Sequence, residues 1–206
     1  MTLVTTLNSA ARRVPAWLLY IGALLPVGWL AYATLTGGLG IDPVKTIEHQ
    51  LGIWALQVFI ASLAITPLRT YTGLNLIRFR RALGLITFFY VALHLATWLL
   101  LDLQLLWGEI WKDILKRPYI TIGMVSFVLI LPLAITSNNR SVRRLGAAAW
   151  QRLHKLAYPA ILLGAIHFVM VQKVWETEAL VYLGLVILLL ATRIRQILPK
   201  TRNQPA

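Results

Sequence analysis

The sequence predicts an all-α integral membrane protein, a bundle of six transmembrane helices with both termini on the cytoplasmic side. The composition supports the membrane assignment, since 58% of the 206 residues are hydrophobic and the mean hydropathy is +0.71. Only 13% of the residues are charged, about half the share typical of a soluble domain. Two further observations, the number of long apolar windows and the placement of the charges, predict the helix count and the orientation.

Six windows of the chain are long and apolar enough to cross a membrane. A helix needs about 20 mostly apolar residues to cross a hydrocarbon core about 30 Å thick. The predicted spans are residues 16–35, 49–68, 82–101, 119–137, 154–172 and 178–198. Their connections are short, so we expect residues 1–206 to form a single transmembrane domain, with only the first dozen residues and the tail after Pro199 loosely held.

The charges of the chain are segregated between alternate connections. Fifteen of the 20 basic residues lie before the first span, between the second and third, between the fourth and fifth, and after the sixth, and no acidic residue accompanies them. The other connections hold five basic residues and all seven acids. Because basic loops stay in the cytoplasm, both termini are predicted to be cytoplasmic. The same segregation indicates that the net charge of +13 serves contact with membrane lipid and not with nucleic acid.

The chain contains no cysteine. Disulfides, thiolate metal sites, iron–sulfur clusters and covalent attachment of c-type haem are therefore excluded within it. Any redox chemistry must use another cofactor.

Two of the four histidines are predicted to lie at matched depth in the membrane. His94 lies about 18 Å along the third span, which begins near Ala82, and His167 lies about 20 Å beyond His154 on the fifth, which runs in the same direction. Ionisable residues at this depth generally mark functional sites. Two neutral imidazoles on facing helices suit a haem iron held from both sides. For either histidine alone, a hydrogen-bonded core residue or a proton relay is the alternative.

The other two histidines are predicted to lie nearer the membrane surfaces. His49 opens the second span from the outer side, and His154 lies near the inner surface. In a straight helix, His154 and His167 would point roughly 140° apart. Either Pro159 between them alters the helix enough to bring both rings to one groove, or the two histidines serve different sites.

Four separated segments carry a resemblance to a known family. They are Gly38–Pro43 before His49, Arg80–His94, Arg117–Gly123, and Trp150–Tyr158 with His167. Together they resemble MsrQ (also called YedZ), the haem-bearing membrane subunits of bacterial methionine sulfoxide reductase systems. That family is similar in turn to the transmembrane domain of ferric reductases and NADPH oxidases.

The resemblance implies an electron-transfer subunit of the bacterial inner membrane. We expect no substrate-transforming site in the chain itself, because its sequence has no carboxylate pair, nucleophile–base constellation or glycine-rich nucleotide loop. It implies b-type haem, with His94, His154 and His167 on the family's ligand positions and His49 on a fourth, and it also implies FMN. A cytosolic flavin reductase or the quinone pool would supply electrons. A periplasmic molybdopterin enzyme, MsrP, would receive them and repair oxidised methionines in envelope proteins.

One position departs from the wider superfamily, in which two pairs of histidines hold two stacked haems. Thirteen residues before His94, where a second ligand would be expected, the chain has Arg81. An outer haem on His94 and His167 is therefore expected, whereas an inner haem on His154 has no evident second ligand. We assign Arg81 to an anionic group of a cofactor, and His49 to a haem propionate or to ligation in another arrangement.

Two surfaces and three other functions stay open at this point. The basic segments Arg78–Arg81 and Arg140–Arg144 suit propionates, a flavin phosphate or anionic lipid. Residues 102–116, with Trp107 and Trp111, suit either a periplasmic docking surface or an interfacial aromatic belt. The alternative functions are another b-type transmembrane reductase, a haem-free membrane anchor and a proton-coupled transporter, although the transporter would be expected to carry intramembrane carboxylates.

Overall fold

A computed structural model describes residues 3–172, 174 and 176–197, which form ten α-helices and no strand. The predictions for the tail after Pro199 lie outside the described residues. The helices are α1 Leu3–Arg13, α2 Trp17–Leu35, α3 Pro43–Thr72, α4 Arg80–Ala96, α5 Trp107–Lys116, α6 Pro118–Ile135, α7 Asn139–Leu145, α8 Ala147–Leu153, α9 Ala157–Val171 and α10 Thr177–Ile197. Short 3₁₀ turns, Ile77–Phe79 and His154–Leu156, precede α4 and α9, and a π-helical segment, Thr97–Asp102, ends α4.

Five helical segments of the described chain are long and apolar enough to cross a membrane, which makes this a multi-pass membrane protein. These segments are Trp17–Leu35, Pro43–Thr72, Ile77–Asp102, Pro118–Ile135 and Ala147–Val171. Large apolar side chains on their outer faces are exposed, as lipid contact requires. The sixth predicted span coincides with α10, but the count of six spans and the cytoplasmic placement of both termini stay predictions.

The helix α3 is longer than the span predicted for it, with 30 residues. Pro43 occupies its first turn, and the Asp42 side chain caps it by accepting a hydrogen bond from the Lys45 backbone N–H at 3.1 Å. Gly73, with φ of 76°, ends it in the left-handed region. His49 therefore lies inside α3, more than a turn beyond its start, and does not open the helix as the sequence predicted.

Residues 3–13 are not loose, and for them the prediction was wrong. They form α1, which hydrogen bonds tie to the connection between α3 and α4. The Asn8 side chain donates to the Gly73 carbonyl at 3.0 Å and accepts from the Asn75 backbone N–H at 2.8 Å. Arg78 donates to the Ala11 carbonyl at 3.2 Å. Hydrogen bonds between a side chain and a part of the backbone distant in sequence cannot be predicted from a short polar segment, which explains the error.

Two helix pairs form the centre of the molecule, α3 with α4 and α6 with α9. Helix α10 packs against α9 and α3, and Ile53, Ile161 and Val186 are buried where the three helices meet. Arg193, which lies within the predicted sixth span, is buried in α10, where its guanidinium donates to the Leu63 carbonyl at 2.7 Å.

The connection with Trp107 and Trp111 is also helical. Both tryptophans lie on α5 and are more than half exposed, whereas Ile110 on another face of that helix is buried. The choice between a docking surface and an aromatic belt stays open for this segment.

Candidate functional site

One cavity of about 820 Å³ lies between the two central helix pairs. Its volume is in the range of pockets that hold cofactors and other small molecules. Apolar side chains of α3, α4, α6 and α9 form most of its wall, including Phe59, Phe127 and Ile161. Three of the four histidines, His49, His94 and His167, also line it.

His94 and His167 face each other across the two helix pairs. Their ring centroids are 6.2 Å apart, and the ring planes are nearly perpendicular, at 79°. His94 lies near the end of α4 and His167 near the end of α9. The matched depth inferred from the sequence therefore corresponds to a close pair of rings in the structure.

Each of the two rings is oriented by a backbone carbonyl on the other helix of its pair. Nδ1 of His94 donates to the carbonyl of Glu48 in α3 at 2.8 Å, and Nδ1 of His167 donates to the carbonyl of Tyr119 in α6 at 2.7 Å. A carbonyl oxygen only accepts, so the proton of each neutral ring is on Nδ1. Nε2 of each ring keeps its lone pair and is available to a metal.

The pair has the dimensions of a two-histidine metal site. A metal–imidazole bond is about 2 Å long and the ring centre lies about 1 Å further, so the centroids of two opposed ligands are about 6 Å apart. The observed 6.2 Å agrees with this value. Imidazole ligands of metals commonly donate their other N–H to a carbonyl, as both rings do here. Among the described residues, no group of three or more His, Cys, Asp or Glu side chains is placed to hold a metal ion.

The two carbonyl acceptors were not identified from the sequence. Every residue has a backbone carbonyl, so the sequence does not single out an acceptor. Only the packing of α3 on α4 and of α6 on α9 selects the carbonyls of Glu48 and Tyr119. Tyr119 does belong to the motif Arg117–Gly123, which was the one available signal.

His49 lies in the wall of the same cavity. Its ring packs against that of Phe168, with centroids 5.7 Å apart. In α3, His49 directly follows Glu48, the residue whose carbonyl accepts the hydrogen bond from His94. The role predicted for His49, contact with a haem propionate or ligation in another arrangement, stays a prediction.

His154 lies outside the cavity, among α6 and α8. Its ring stacks on Trp150 with centroids 3.8 Å apart, and its Nε2 is 3.1 Å from Oγ1 of Thr136. Because that hydroxyl donates to the Pro132 carbonyl at 2.6 Å, it accepts from Nε2–H of His154. Of the two sequence-derived alternatives, the structure therefore supports different sites for His154 and His167. The 3₁₀ turn His154–Leu156 separates them, and Pro159 does not bring them into one groove.

Arg81 is also apart from the cavity. Its guanidinium donates to the side-chain carbonyl of Asn139 at 2.8 Å, which joins the start of α4 to α7. Within the described residues Arg81 forms no ion pair with a carboxylate, and its assignment to a cofactor stays a prediction.

One end of the cavity is charged and open to solvent. Lys45 bridges Glu48 and Asp102 at 3.1 and 2.8 Å, and Arg117 pairs with Asp113 at 3.3 Å. The Lys45 and Arg117 side chains are about half exposed. This charged end, defined by Lys45, Glu48 and Arg117, gives the otherwise apolar cavity a polar entrance.

The helical fold and the paired histidines define a ferric-reductase-like membrane protein. Residues 50–165 match the family model described as the ferric reductase like transmembrane component. The chain is 50% identical over 188 residues to the protein-methionine-sulfoxide reductase heme-binding subunit MsrQ of Brucella anthropi, covering 91% of this chain and 84% of that one. It is 48% identical over 187 residues, with the same coverage, to the MsrQ subunits of Brucella ovis and Brucella canis. The chain belongs to the MsrQ family.

Proposed function

We propose that this chain binds one b-type haem between His94 and His167 and conducts electrons across the bacterial inner membrane. The observation that carries the proposal is the pair of imidazoles 6.2 Å apart at one cavity, each with Nδ1 donating to a carbonyl. The relatives are named as heme-binding subunits, which agrees with this donor set. The bound haem would supply one-electron transfer.

The chain's own residues would hold and insulate the group. Nε2 of His94 and of His167 would hold the iron, and the carbonyls of Glu48 and Tyr119 would keep both rings in the required tautomer. The apolar wall of the cavity would exclude water, which favours neutral imidazoles. At the charged end of the cavity, Lys45 and Arg117 are the cations that would contact the propionate carboxylates of the haem. His49 is a further polar group in the cavity wall.

The electrons would come from a cytosolic flavin reductase or the quinone pool and pass to a periplasmic MsrP-type molybdoenzyme that repairs oxidised methionines. Movement outward would be assisted by the membrane potential, by about 2.3 kcal/mol per electron for each 100 mV. The chain would then be the electron-transfer subunit of an oxidoreductase system.

Two finer elements of the proposal depend on the family resemblance. FMN would bind on the side of the basic segments Arg78–Arg81 and Arg140–Arg144. A second, inner haem would need His154, whose Nε2 is engaged by Thr136, and Arg81 would serve an anionic cofactor group there.

The test is the visible spectrum and haem content of the detergent-purified protein, oxidised and dithionite-reduced. We expect a low-spin b-type spectrum that is lost in His94→Ala and in His167→Ala and kept in the matched control His154→Ala. If part of the haem is lost only in His154→Ala, that part is a second, inner haem. Release of FMN on denaturation would establish the flavin. A wild type that stays colourless after reconstitution with haem would reject the proposal and favour a haem-free anchor or transporter.

A second candidate, reduction of an external ferric complex by the same haem, is favoured by the match to the ferric reductase like family model. The two are separated by mixing the reduced protein with a methionine sulfoxide reductase or with a ferric chelate. The proposed function expects rapid loss of the reduced haem band with the enzyme and slow loss with the chelate.

A further inference from the structure

Two glycines lie directly against the two imidazole rings of the site. A Cβ atom at Gly123 would be 2.9 Å from Nδ1 and 3.0 Å from Cε1 of His167. At Gly52 it would be 3.3 Å from Nδ1 and 3.4 Å from Cε1 of His94. Non-bonded atoms of this size are in optimal contact at about 3.5–4.0 Å. Even the methyl group of alanine would therefore displace the ring at Gly123 and press on it at Gly52.

The position of both glycines follows from helix geometry. In an α-helix the carbonyl of one residue points toward the residue four positions later. Gly52 follows Glu48 by four residues in α3, and Gly123 follows Tyr119 by four residues in α6. Each imidazole thus passes over a glycine to bring its Nδ1 to the carbonyl one turn earlier. The same arrangement occurs once in each central helix pair.

We propose that Gly52 and Gly123 are positioning residues that set the orientation of His94 and His167 toward a bound iron. This inference rests on the proposed function. Without a side chain at these positions, each ring approaches its helix closely enough for a hydrogen bond of 2.7–2.8 Å. That bond raises the basicity of Nε2, which strengthens iron binding and favours the ferric over the ferrous state.

Gly84 provides a matched control. It lies inside α4, and a Cβ there would meet nothing within 4 Å. Replacement of a helical glycine by alanine favours the helix where space allows. Gly84→Ala therefore reproduces the backbone effect of the substitution without the ring contact.

The experiment compares Gly123→Ala, Gly52→Ala and Gly84→Ala, each purified as the full chain, for haem affinity and reduction midpoint potential. For Gly123→Ala we expect haem binding weakened about tenfold or more, the loss usual when a partner of a ligating histidine is disturbed. Its midpoint potential should shift upward, because the weakened hydrogen bond favours the ferric state less. Gly52→Ala should change both quantities in the same direction but less, since its Cβ would be 0.4 Å further from Nδ1 (3.3 against 2.9 Å). Gly84→Ala should keep wild-type values.

Whether haem affinity and midpoint potential change in the two glycine variants decides the inference. If Gly123→Ala yields no folded protein, the upward shift of the potential in Gly52→Ala, with haem still bound, is the deciding result. Wild-type affinity and potential in Gly52→Ala and in any folded Gly123→Ala would overturn the role of the glycines while leaving the haem proposal intact. A wild type that takes up no haem would reject the proposed function itself, so the two failures are distinguishable.

Discussion

At the scale of the residue, the relative orientation of His94 and His167 has an electronic consequence. The two ring planes are 79° apart. If both rings bind a haem iron as proposed, each imidazole would interact through its π orbitals with one of two perpendicular iron d orbitals. When the planes are nearly perpendicular, both d orbitals are affected alike and stay close in energy.

We therefore expect the oxidised protein to give a highly anisotropic low-spin electron paramagnetic resonance spectrum. Parallel imidazole planes would separate the two d orbitals and give a conventional rhombic spectrum. The measurement is a low-temperature spectrum of the ferric wild type, with Gly84→Ala as the control that should match it. A rhombic wild-type spectrum would mean that the rings do not keep the orientation seen here when iron is bound.

The residues of the site were predictable only in part. Depth along the predicted spans identified His94 and His167 as a pair, because depth depends on residue count alone. The orientation of His154 was not predictable, since a 3₁₀ turn at His154–Leu156 changes its direction relative to His167. The glycine contacts at residues 52 and 123 depend on which helices pack together, which no local pattern specifies.

At the scale of the element, two side chains attach α1 to the connection between α3 and α4: Asn8, and Arg78, which donates to the carbonyls of Ala11 and Arg12. Asn8 makes two hydrogen bonds to the connection between α3 and α4, at Gly73 and Asn75. The sequence did not predict this helix, because its propensity is ordinary and its attachment is made by contacts distant in the chain. Most ends of the spans were predicted to within a few residues, because apolar length is a strong local signal, but both ends of α3 and the starts of the segments Ile77–Asp102 and Ala147–Val171 were missed by four to seven residues.

We expect Asn8→Ala to loosen α1 without affecting the histidine site. Loss of two hydrogen bonds, each contributing about 1 kcal/mol net, should lower the local opening free energy by about 1–2 kcal/mol. Amide hydrogen exchange in residues 3–13 should then accelerate about tenfold. Ser9→Ala in the same helix is the control, since no side-chain hydrogen bond of Ser9 occurs within the described structure. Unchanged exchange in Asn8→Ala would show that other contacts hold α1.

At the scale of the whole molecule, the cavity lies between two helix pairs, and each pair contributes one imidazole with its carbonyl partner. A bound group contacting both rings would therefore link α3 and α4 to α6 and α9. The charges of the connections predict how this assembly is oriented in the membrane.

The predicted orientation can be measured with reporter fusions. Alkaline phosphatase, which is active only in the periplasm, should be active when fused after Gly40 or Gln104 and inactive when fused after Gly73 or Asn138. The reason is that the connections at Gly73 and Asn138 carry the uncompensated basic residues. A cytoplasmic fluorescent reporter at the same four positions should give the opposite pattern, and activity of the phosphatase at Gly73 or Asn138 would contradict the orientation.

The backbone origin of the two carbonyl acceptors affects how the site tolerates mutation. Replacing the side chain of Glu48 or Tyr119 leaves the peptide oxygen in place, so such a substitution does not remove the partner of either imidazole. The glycines one turn later have no such freedom, because any other amino acid adds atoms where the ring lies. Among relatives, selection on the orientation of the rings should therefore keep glycine at these two positions, whichever side chains stand at the positions that provide the carbonyls.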